Sequence, residues 1–176
     1  MLMAIYHLHC KVFSRSKGQT AIAAAAYRSG TKLEDHELGT VSDYTKKKGI
    51  AFSEIELPSN APKEYADREV LWNAVQEVEK SKDAQLCREF EIALPKELSL
   101  VEQIELVRTF AKSLVSEGMI ADYSIHDKND GNPHVHILTT MRGIDDKGKW
   151  MSKQKKIYSL DEGGNRIPII DKKTGQ

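Results

Sequence analysis

The feature that most constrains the fold is a segment with strand-like alternation on both sides of a short polar turn, YSIHDKNDGNPHVHIL at residues 123–138. Apolar and polar residues alternate in each half, which is typical of a half-buried β-strand. Gly131 and Asn132 suit the turn, and Pro133 is tolerated as the first residue of a strand. The segment therefore predicts an antiparallel β-hairpin.

This hairpin contains three histidines. Seven residues separate His126 from His134, so if they end and begin their strands they form a cross-strand pair, with Cβ atoms about 4.5–5.5 Å apart. His136 lies two residues further along, on the same face. Three neighbouring imidazoles can hold a metal ion and leave coordination positions open, which makes all three histidines candidate ligands. The alternative is that two surface histidines and one core histidine lie close together by coincidence.

Other metal-site patterns fit less well. A cupin-type His-x-His site needs a glutamate three or four residues later, where this chain has Thr139 and Thr140. No His-Glu-x-x-His motif is present, which excludes the zincin proteases. The two cysteines, Cys10 and Cys87, are too few for a disulfide framework, and we expect both to be reduced core thiols.

The rest of the chain alternates between strand-like and helix-like patterns. Strands are expected at 4–13, 49–58, 85–95, 119–126 and 134–142, and a further hairpin at 157–170. Helices are expected at 20–30, from between 62 and 67 to about 80, and at 99–117, with residues 31–49 irregular. The order favours an α+β fold with a largely antiparallel sheet and helices packed mainly on one face. Polar chemistry is then expected on the other face.

Composition places the chain among soluble proteins. It has 176 residues, enough for one domain, with 40% hydrophobic and 30% charged residues and a net charge of zero. No apolar run is long enough to cross a membrane and no signal peptide is visible, so we expect a cytoplasmic protein. Zero net charge argues against broad, non-specific nucleic-acid binding. It leaves open whether local clusters such as Lys46–Lys48 are solvated loops or line a basic groove.

Two further groups could react near a metal ion. Glu89 and Glu91 share the polar face of the strand at 85–95 and could orient a histidine or act as a general base. They could equally be solvated carboxylates on an edge strand. Tyr27 ends an alanine-rich helix, where its hydroxyl needs a partner. It is either a packing residue or a nucleophile beside the metal.

Three ordered blocks of the chain carry a resemblance: MAIYHLHCKVFSRSKGQTAIAAAAYRSG, REFEIALPKEL and IHDKNDGNPHVHIL. Together they resemble the MobA/MobL mobilisation relaxases, the MobQ class of HUH endonucleases, over roughly residues 3–150. The resemblance implies a central antiparallel sheet of about five strands flanked by helices. It also implies an enzyme that nicks one DNA strand at a plasmid or integrative-element transfer origin.

The resemblance implies roles for individual residues. The active tyrosine falls on Tyr27, the metal ligands on the three histidines, and the acidic residue on Glu89, with Glu91 beside it. A divalent ion, Mn²⁺ or Mg²⁺ with Zn²⁺ or Ni²⁺ as substitutes, would polarise the phosphate while Glu89 takes the tyrosine's proton. The product would be a 5′-phosphotyrosine and a free 3′-hydroxyl. Further candidate DNA contacts are Lys11, Arg28, His7, His9 and Tyr44, the last being also the second-choice nucleophile.

The resemblance also implies partners and a domain division. We expect single-stranded DNA, relaxosome proteins and coupling proteins as partners. Residues 1–150 would form the catalytic domain, and residues 151–176 a polar extension that begins the rest of a longer protein. A rolling-circle initiator or transposase of the same superfamily is the first alternative, although those generally place the tyrosine after the histidines. A non-catalytic DNA-binding accessory and a metal enzyme that does not act on nucleic acid are the others.

Overall fold

The computed structural model describes residues 7–154 and 158–167. The helices are α1 (Ala21–Ser29), α2 (Arg68–Val78) and α3 (Leu100–Ser116). The strands are β1 (Leu8–Ser14), β2 (Lys32–Asp35), β3 (Thr40–Asp43), β4 (Ile50–Glu56), β5 (Gln85–Ala93), β6 (Ala121–His126) and β7 (His134–Thr140). Within the described ranges, no helix is long and apolar enough to cross a bilayer.

The central sheet has five strands in the order β1-β5-β7-β6-β4, and every neighbouring pair is antiparallel. The α+β class and the five-stranded antiparallel sheet are therefore confirmed. Strand β5 lies between β1 and β7, so the alternative of Glu89 and Glu91 on an edge strand is wrong. Strands β2 and β3 form a separate two-stranded hairpin.

The helices begin and end at the residues that their capping signals indicate. The Thr20 side chain accepts a hydrogen bond from the Ala23 amide at the start of α1, and Gly30 ends that helix with φ 65°. Ser99 and Glu102 form a reciprocal capping box at the start of α3. These local signals need no tertiary contacts, which is why the sequence predicts both helices closely.

The distribution of helices over the sheet differs from the expectation. Helix α3 packs on one face, against the apolar residues Phe90, Ile92, Tyr123, Ile125, Val135 and Ile137. Helices α1 and α2 lie on the other face, where Trp72 and Arg68 of α2 both donate to the buried carboxylate of Asp122. The second face has a hydrophobic core of its own and also buries charged groups, which pair with groups on the covering helices.

Two local expectations need correction, and the described part of a third agrees with the structure. Residues 31–49 are not irregular throughout, because the four-residue strands β2 and β3 lie within them. Cys87 is buried, and burial raises the pKa of its thiol, but Cys10 is exposed. Of the hairpin expected at 157–170, the described residues contain one bridge, Leu160 to Arg166, while residues 157 and 168–170 lie outside them.

Candidate metal centre and its neighbouring tyrosine

The strand register gathers polar side chains into rows across one face of the sheet. His126 lies opposite His134, as the hairpin spacing predicts. In the next row, His136 lies between Ser124 of β6 and Glu91 of β5. Because directly opposed residues in an antiparallel pair point to the same side, the three histidines share a face.

The three imidazoles lie close enough to bind one ion. One ring nitrogen from each of His126, His134 and His136 lies within 4.8 Å of the others, without any ion present. The ring centroids are 4.6 Å apart for His126 and His136, and 5.0 and 5.4 Å apart for the other two pairs. His126 is 5% exposed and the other two are half-buried. The cluster is therefore accessible to solvent at His134 and buried at His126.

Hydrogen bonds leave one nitrogen of each ring available. His126 Nε2 donates to the Arg28 carbonyl at 2.6 Å, and His134 Nδ1 donates to the Asn132 carbonyl at 3.1 Å. His136 Nδ1 donates to Glu89 at 2.8 Å. Since each acceptor fixes which nitrogen carries the proton, the remaining nitrogens are lone-pair donors. This donor set fits a divalent transition-metal ion.

Burial affects the protonation of His126 most strongly. It lowers the pKa of His126 to about 4, and the neighbouring rings of His136 and His134 act in the same direction. The hydrogen bond with Arg28 only partly opposes this effect. His126 is therefore neutral at neutral pH, as a metal ligand must be.

Glu89 is the most constrained carboxylate on this face. Its side chain is 0% exposed, and it pairs with Arg28 at 2.6 Å and Lys11 at 2.8 Å. Burial alone would raise the pKa of Glu89, but hydrogen bonds from His136, Arg28 and Lys11 hold it well below its usual range. A carboxylate this acidic is a weak proton acceptor, which disfavours the expected role of Glu89 as the base for Tyr27.

Arg28 joins the metal centre to helix α1. Its carbonyl accepts from His126, and its guanidinium donates twice to Glu89, which in turn accepts from His136. Arg28 and Lys11 were expected to contact phosphate, but both cations are paired with Glu89 in this structure. Because Arg28 directly follows Tyr27, the contacts fix the end of the helix that carries the tyrosine.

Tyr27 lies at the surface and not in the core. Its side chain is 44% exposed, and its ring meets that of Tyr44 edge-on, with centroids 5.2 Å apart. The ammonium of Lys47 lies 3.5 Å from the ring centroid of Tyr27. Tyr27 thus makes packing contacts at the surface while much of its side chain stays exposed, so its role as a nucleophile stays a prediction.

The remaining candidates lie beside the histidines. His7, Glu91 and His134 line a cleft of about 350 Å³ together with Ala93 and Asn132. Glu91 Oε2 is 3.9 Å from His136 Nδ1, too far for a hydrogen bond. His9 is exposed and pairs across the sheet with Glu91. These positions extend the polar face from the metal centre to the sheet edge.

Lys47, which contacts Tyr27 in the structure, could not be singled out from the sequence. Lys47 is the middle one of three consecutive lysines, and nothing local separates it from Lys46 and Lys48. In the structure it is half-buried against Tyr27, while its two neighbours are exposed. Only the fold of the loop between β3 and β4 distinguishes the three.

Comparison with known proteins places these features in a family. The family model described as MobA/MobL matches residues 19–176. A probable mobilization protein MobA of Bifidobacterium longum is 40% identical over 177 residues, covering 98% of this chain and 31% of that protein. The mobilization protein MobL of Acidithiobacillus ferridurans is 44% identical over 185 residues, covering 90% of this chain and 47% of that protein. The chain thus spans less than half the length of both relatives.

A solved structure agrees with the sequence comparison. It was reported as the molecular basis of vancomycin resistance transfer in Staphylococcus aureus, and one of its chains matches with a TM-score of 0.83 and 41% identity. The match covers 93% of this chain and 80% of that one. The resemblance drawn from the three sequence blocks is thereby confirmed: the chain belongs to the MobA/MobL family.

Proposed function

We propose that this chain is the catalytic region of a DNA relaxase that nicks one strand at a transfer origin and can rejoin it. Residues 1–150 form the catalytic domain in this proposal, and residues 151–176 begin a further part of the protein. The proposal rests on family membership together with the geometry of the polar sheet face. Mobilization is named for the relatives, and here it is extended to this chain.

One observation carries the proposal. One ring nitrogen from each of three imidazoles lies within 4.8 Å of the others, and the hydrogen bond from His126 to the Arg28 carbonyl ties this cluster to the residue after Tyr27. An accessible phenol joined in this way to a divalent-cation site is suited to attack a phosphodiester. A structural metal site would need no such connection to an exposed tyrosine.

The donor set also indicates which ions suit the site. Three imidazoles favour Mn²⁺ over Mg²⁺, and they also accept Zn²⁺ or Ni²⁺. His126, His134 and His136 would hold a divalent ion, which would supply Lewis-acid polarisation to a bound phosphate. Glu89 keeps His136 oriented through its hydrogen bond, which is a positioning role.

The proposed reaction exchanges one phosphate ester for another. The Tyr27 phenolic oxygen attacks the scissile phosphorus, and the bond from phosphorus to the 3′-oxygen breaks. The 3′-oxygen gains a proton and becomes a free hydroxyl, while the proton of the exposed phenol passes to water. The 5′-phosphotyrosine conserves the ester, so that the reverse attack by a 3′-hydroxyl rejoins the strand without ATP.

A covalent-adduct assay tests this proposal. Protein is mixed with a labelled single-stranded oligonucleotide from the element's transfer origin and Mn²⁺, then separated on a denaturing gel. We expect an adduct with the natural chain and with Tyr44→Phe, and none with Tyr27→Phe or with excess chelator. An adduct that persists in Tyr27→Phe would exclude Tyr27 as the nucleophile. Binding without any adduct in the natural chain would favour a non-catalytic accessory.

Single-stranded DNA is the proposed substrate, and the cleft beside His134 and the exposed His7 and His9 offer a path for it. Relaxosome and coupling proteins are proposed partners of the longer protein, and the cytoplasm is its proposed location. A salt titration of oligonucleotide binding would measure how many phosphates the path contacts. Removing His9 with His9→Ala should weaken binding modestly and leave the adduct reaction intact at saturating oligonucleotide.

A further inference from the structure

Lys47, in the loop between β3 and β4, contacts Tyr27, the proposed nucleophile. Lys47 Nζ donates to the Tyr27 carbonyl at 2.7 Å and lies 3.5 Å from the centroid of the same residue's ring. One ammonium group therefore contacts both the backbone and the aromatic face of Tyr27. Such a double contact restricts the rotation of the side chain about its first two torsions.

The loop holds Lys47 in this position through its own backbone contacts. The Lys47 amide donates to the Tyr44 carbonyl at 2.9 Å, and the Tyr44 amide donates to Thr31 just beyond α1 at 3.1 Å. The Gly49 carbonyl accepts from the Asp127 amide at 2.9 Å, directly after the metal candidate His126. The loop thus bridges the end of α1 and the end of β6.

Gly49 is required for this bridge. It has φ +82°, and a Cβ atom there would lie 2.8 Å from the Lys128 side chain and 3.4 Å from the Asp127 carbonyl oxygen. A side chain at position 49 would therefore collide with the hairpin that carries the histidines, and the positive φ also favours glycine. The position of Lys47 follows from the contacts on both sides.

The charge of Lys47 has no carboxylate partner among the described residues. Its ammonium donates to the Tyr27 carbonyl, in contrast to Lys11 and Arg28, which pair with Glu89. Burial, with the charges of Arg28 and Lys128 nearby, lowers the pKa of Lys47 to about 8, and it stays mostly charged at neutral pH. The charge of Glu89 partly offsets this effect, but no carboxylate contacts Lys47 in the described residues, and a cation at this position favours negative charge on the phenol whose ring it contacts.

From this geometry we propose that Lys47 is a positioning residue for the nucleophile: its ammonium holds the Tyr27 ring in an attack-ready orientation and stabilises negative charge developing on the phenolic oxygen. The inference rests on the proposed function of Tyr27. It assigns to Lys47 a role distinct from that of a general phosphate-binding lysine. Lys47 acts through Tyr27, and its loss should slow the chemical step more than it weakens DNA binding.

The test measures single-turnover adduct formation over a range of oligonucleotide concentrations. In Lys47→Met we expect the maximal rate to fall about tenfold, the scale of a misplaced reacting group, while the half-saturating concentration changes less than about twofold. Lys47→Arg, which keeps the charge, should recover part of the rate. Lys47→Gln, which keeps a hydrogen-bond donor without charge, should recover less than Lys47→Arg.

The exposed neighbours Lys46 and Lys48 provide matched controls. Lys46→Met and Lys48→Met remove the same charge without touching Tyr27, so they should leave the maximal rate unchanged and at most raise the half-saturating concentration. A normal maximal rate in Lys47→Met, or an effect equal to that of the two controls, would overturn the inference. Thermal unfolding of each variant confirms that rates are compared between folded proteins.

Failure of this inference is distinguishable from failure of the proposed function. If Tyr27→Phe still forms an adduct, the nucleophile is wrongly assigned and the role of Lys47 falls with it. If Tyr27→Phe is inactive while Lys47→Met reacts at the natural rate, only the inference about Lys47 fails. Both variants are therefore measured in the same series.

Discussion

The two faces of the central sheet are formed by alternate residues of the same strands, yet they serve different purposes. On the α3 face, Val135 and Ile137 of β7 pack in a continuous apolar layer. On the opposite face, His134 and His136 of the same strand converge with His126. Burial of apolar area stabilises both faces, but the second also buries imidazoles and Glu89 at a cost in desolvation.

The difference teaches how a small domain supports a polar site. Glu89 is fully buried only because Arg28, Lys11 and His136 all donate to it. Helices α1 and α2 supply ion-pair partners to buried carboxylates as well as apolar contacts, whereas α3 packs on its face through apolar contacts. The buried polar groups are thus held among apolar residues by direct partners, which keeps groups suited to metal binding in place.

The largest effect should come from the apolar face. Ile137→Ala removes a fully buried side chain from beneath α3 and should lower the free energy of unfolding by about 4 kcal/mol, the range for cavity-forming core substitutions. Denaturant unfolding followed by circular dichroism measures this. Metal affinity of the folded variant should stay near the natural value, because Ile137 points away from the histidines. A loss of metal affinity in Ile137→Ala would show that packing on the α3 face also controls the histidine cluster on the opposite face.

Glu89→Gln should have the next largest effect. It leaves the guanidinium of Arg28 buried without its charge partner, which should cost about 3 kcal/mol, near the lower bound for a broken buried ion pair. The matched control is Glu91→Gln, on the same face but partly exposed, which should change stability by less than about 0.5 kcal/mol. Equal effects of the two substitutions would contradict the special role of Glu89.

Acid should destabilise the metal-free protein through His126. Its folded-state pKa of about 4 lies below the ordinary 6.5, so the unfolded chain binds a proton first and stability falls as the pH falls through that interval. Between pH 7 and pH 5 the loss should be about 2 kcal/mol, since one pKa unit corresponds to about 1.4 kcal/mol.

The measurement is unfolding in chelator at several pH values. His126→Gln should flatten the dependence over this interval, because glutamine does not titrate. A slope that is unchanged in His126→Gln would show that other groups cause the acid sensitivity.

The smallest effect on stability should come from Tyr27→Phe. The side chain is 44% exposed, so removal of its hydroxyl should change the free energy of unfolding by less than about 0.5 kcal/mol. A loss larger than 1 kcal/mol, seen by the same denaturant titration, would place the hydroxyl in a structural hydrogen bond. The Tyr27 hydroxyl would then contribute to the stability of the fold, contrary to our expectation for an exposed side chain.

Local signals account for what the sequence predicted well. The hairpin spacing predicted the pairing of His126 with His134, and the capping residues Thr20 and Ser99 predicted where α1 and α3 begin. Each of these features depends on residues close together in the chain. The short strands β2 and β3 were missed because four polar-rich residues each give little periodicity, with Leu33 as a lone buried anchor.

Long-range contacts account for what the sequence could not predict. Nothing local indicates that β5 inserts between β1 and β7, so the convergence of Lys11, Arg28 and His136 on Glu89 was not foreseen. The same contacts hold the pKa of Glu89 well below its usual range, which disfavours its expected role as a base. The covering of the polar face by α1 and α2 likewise depends on partners more than forty residues apart, such as Arg68 and Asp122.

Calorimetric titration of the chelator-treated protein with Mn²⁺ tests most directly that the polar face is a metal centre formed by three imidazoles. We predict one ion bound per chain, with the affinity strongly reduced in His126→Ala, His134→Ala and His136→Ala but retained in the exposed-histidine control His36→Ala. Undiminished Mn²⁺ binding in the three substituted proteins, or no binding by the natural chain, would contradict the account.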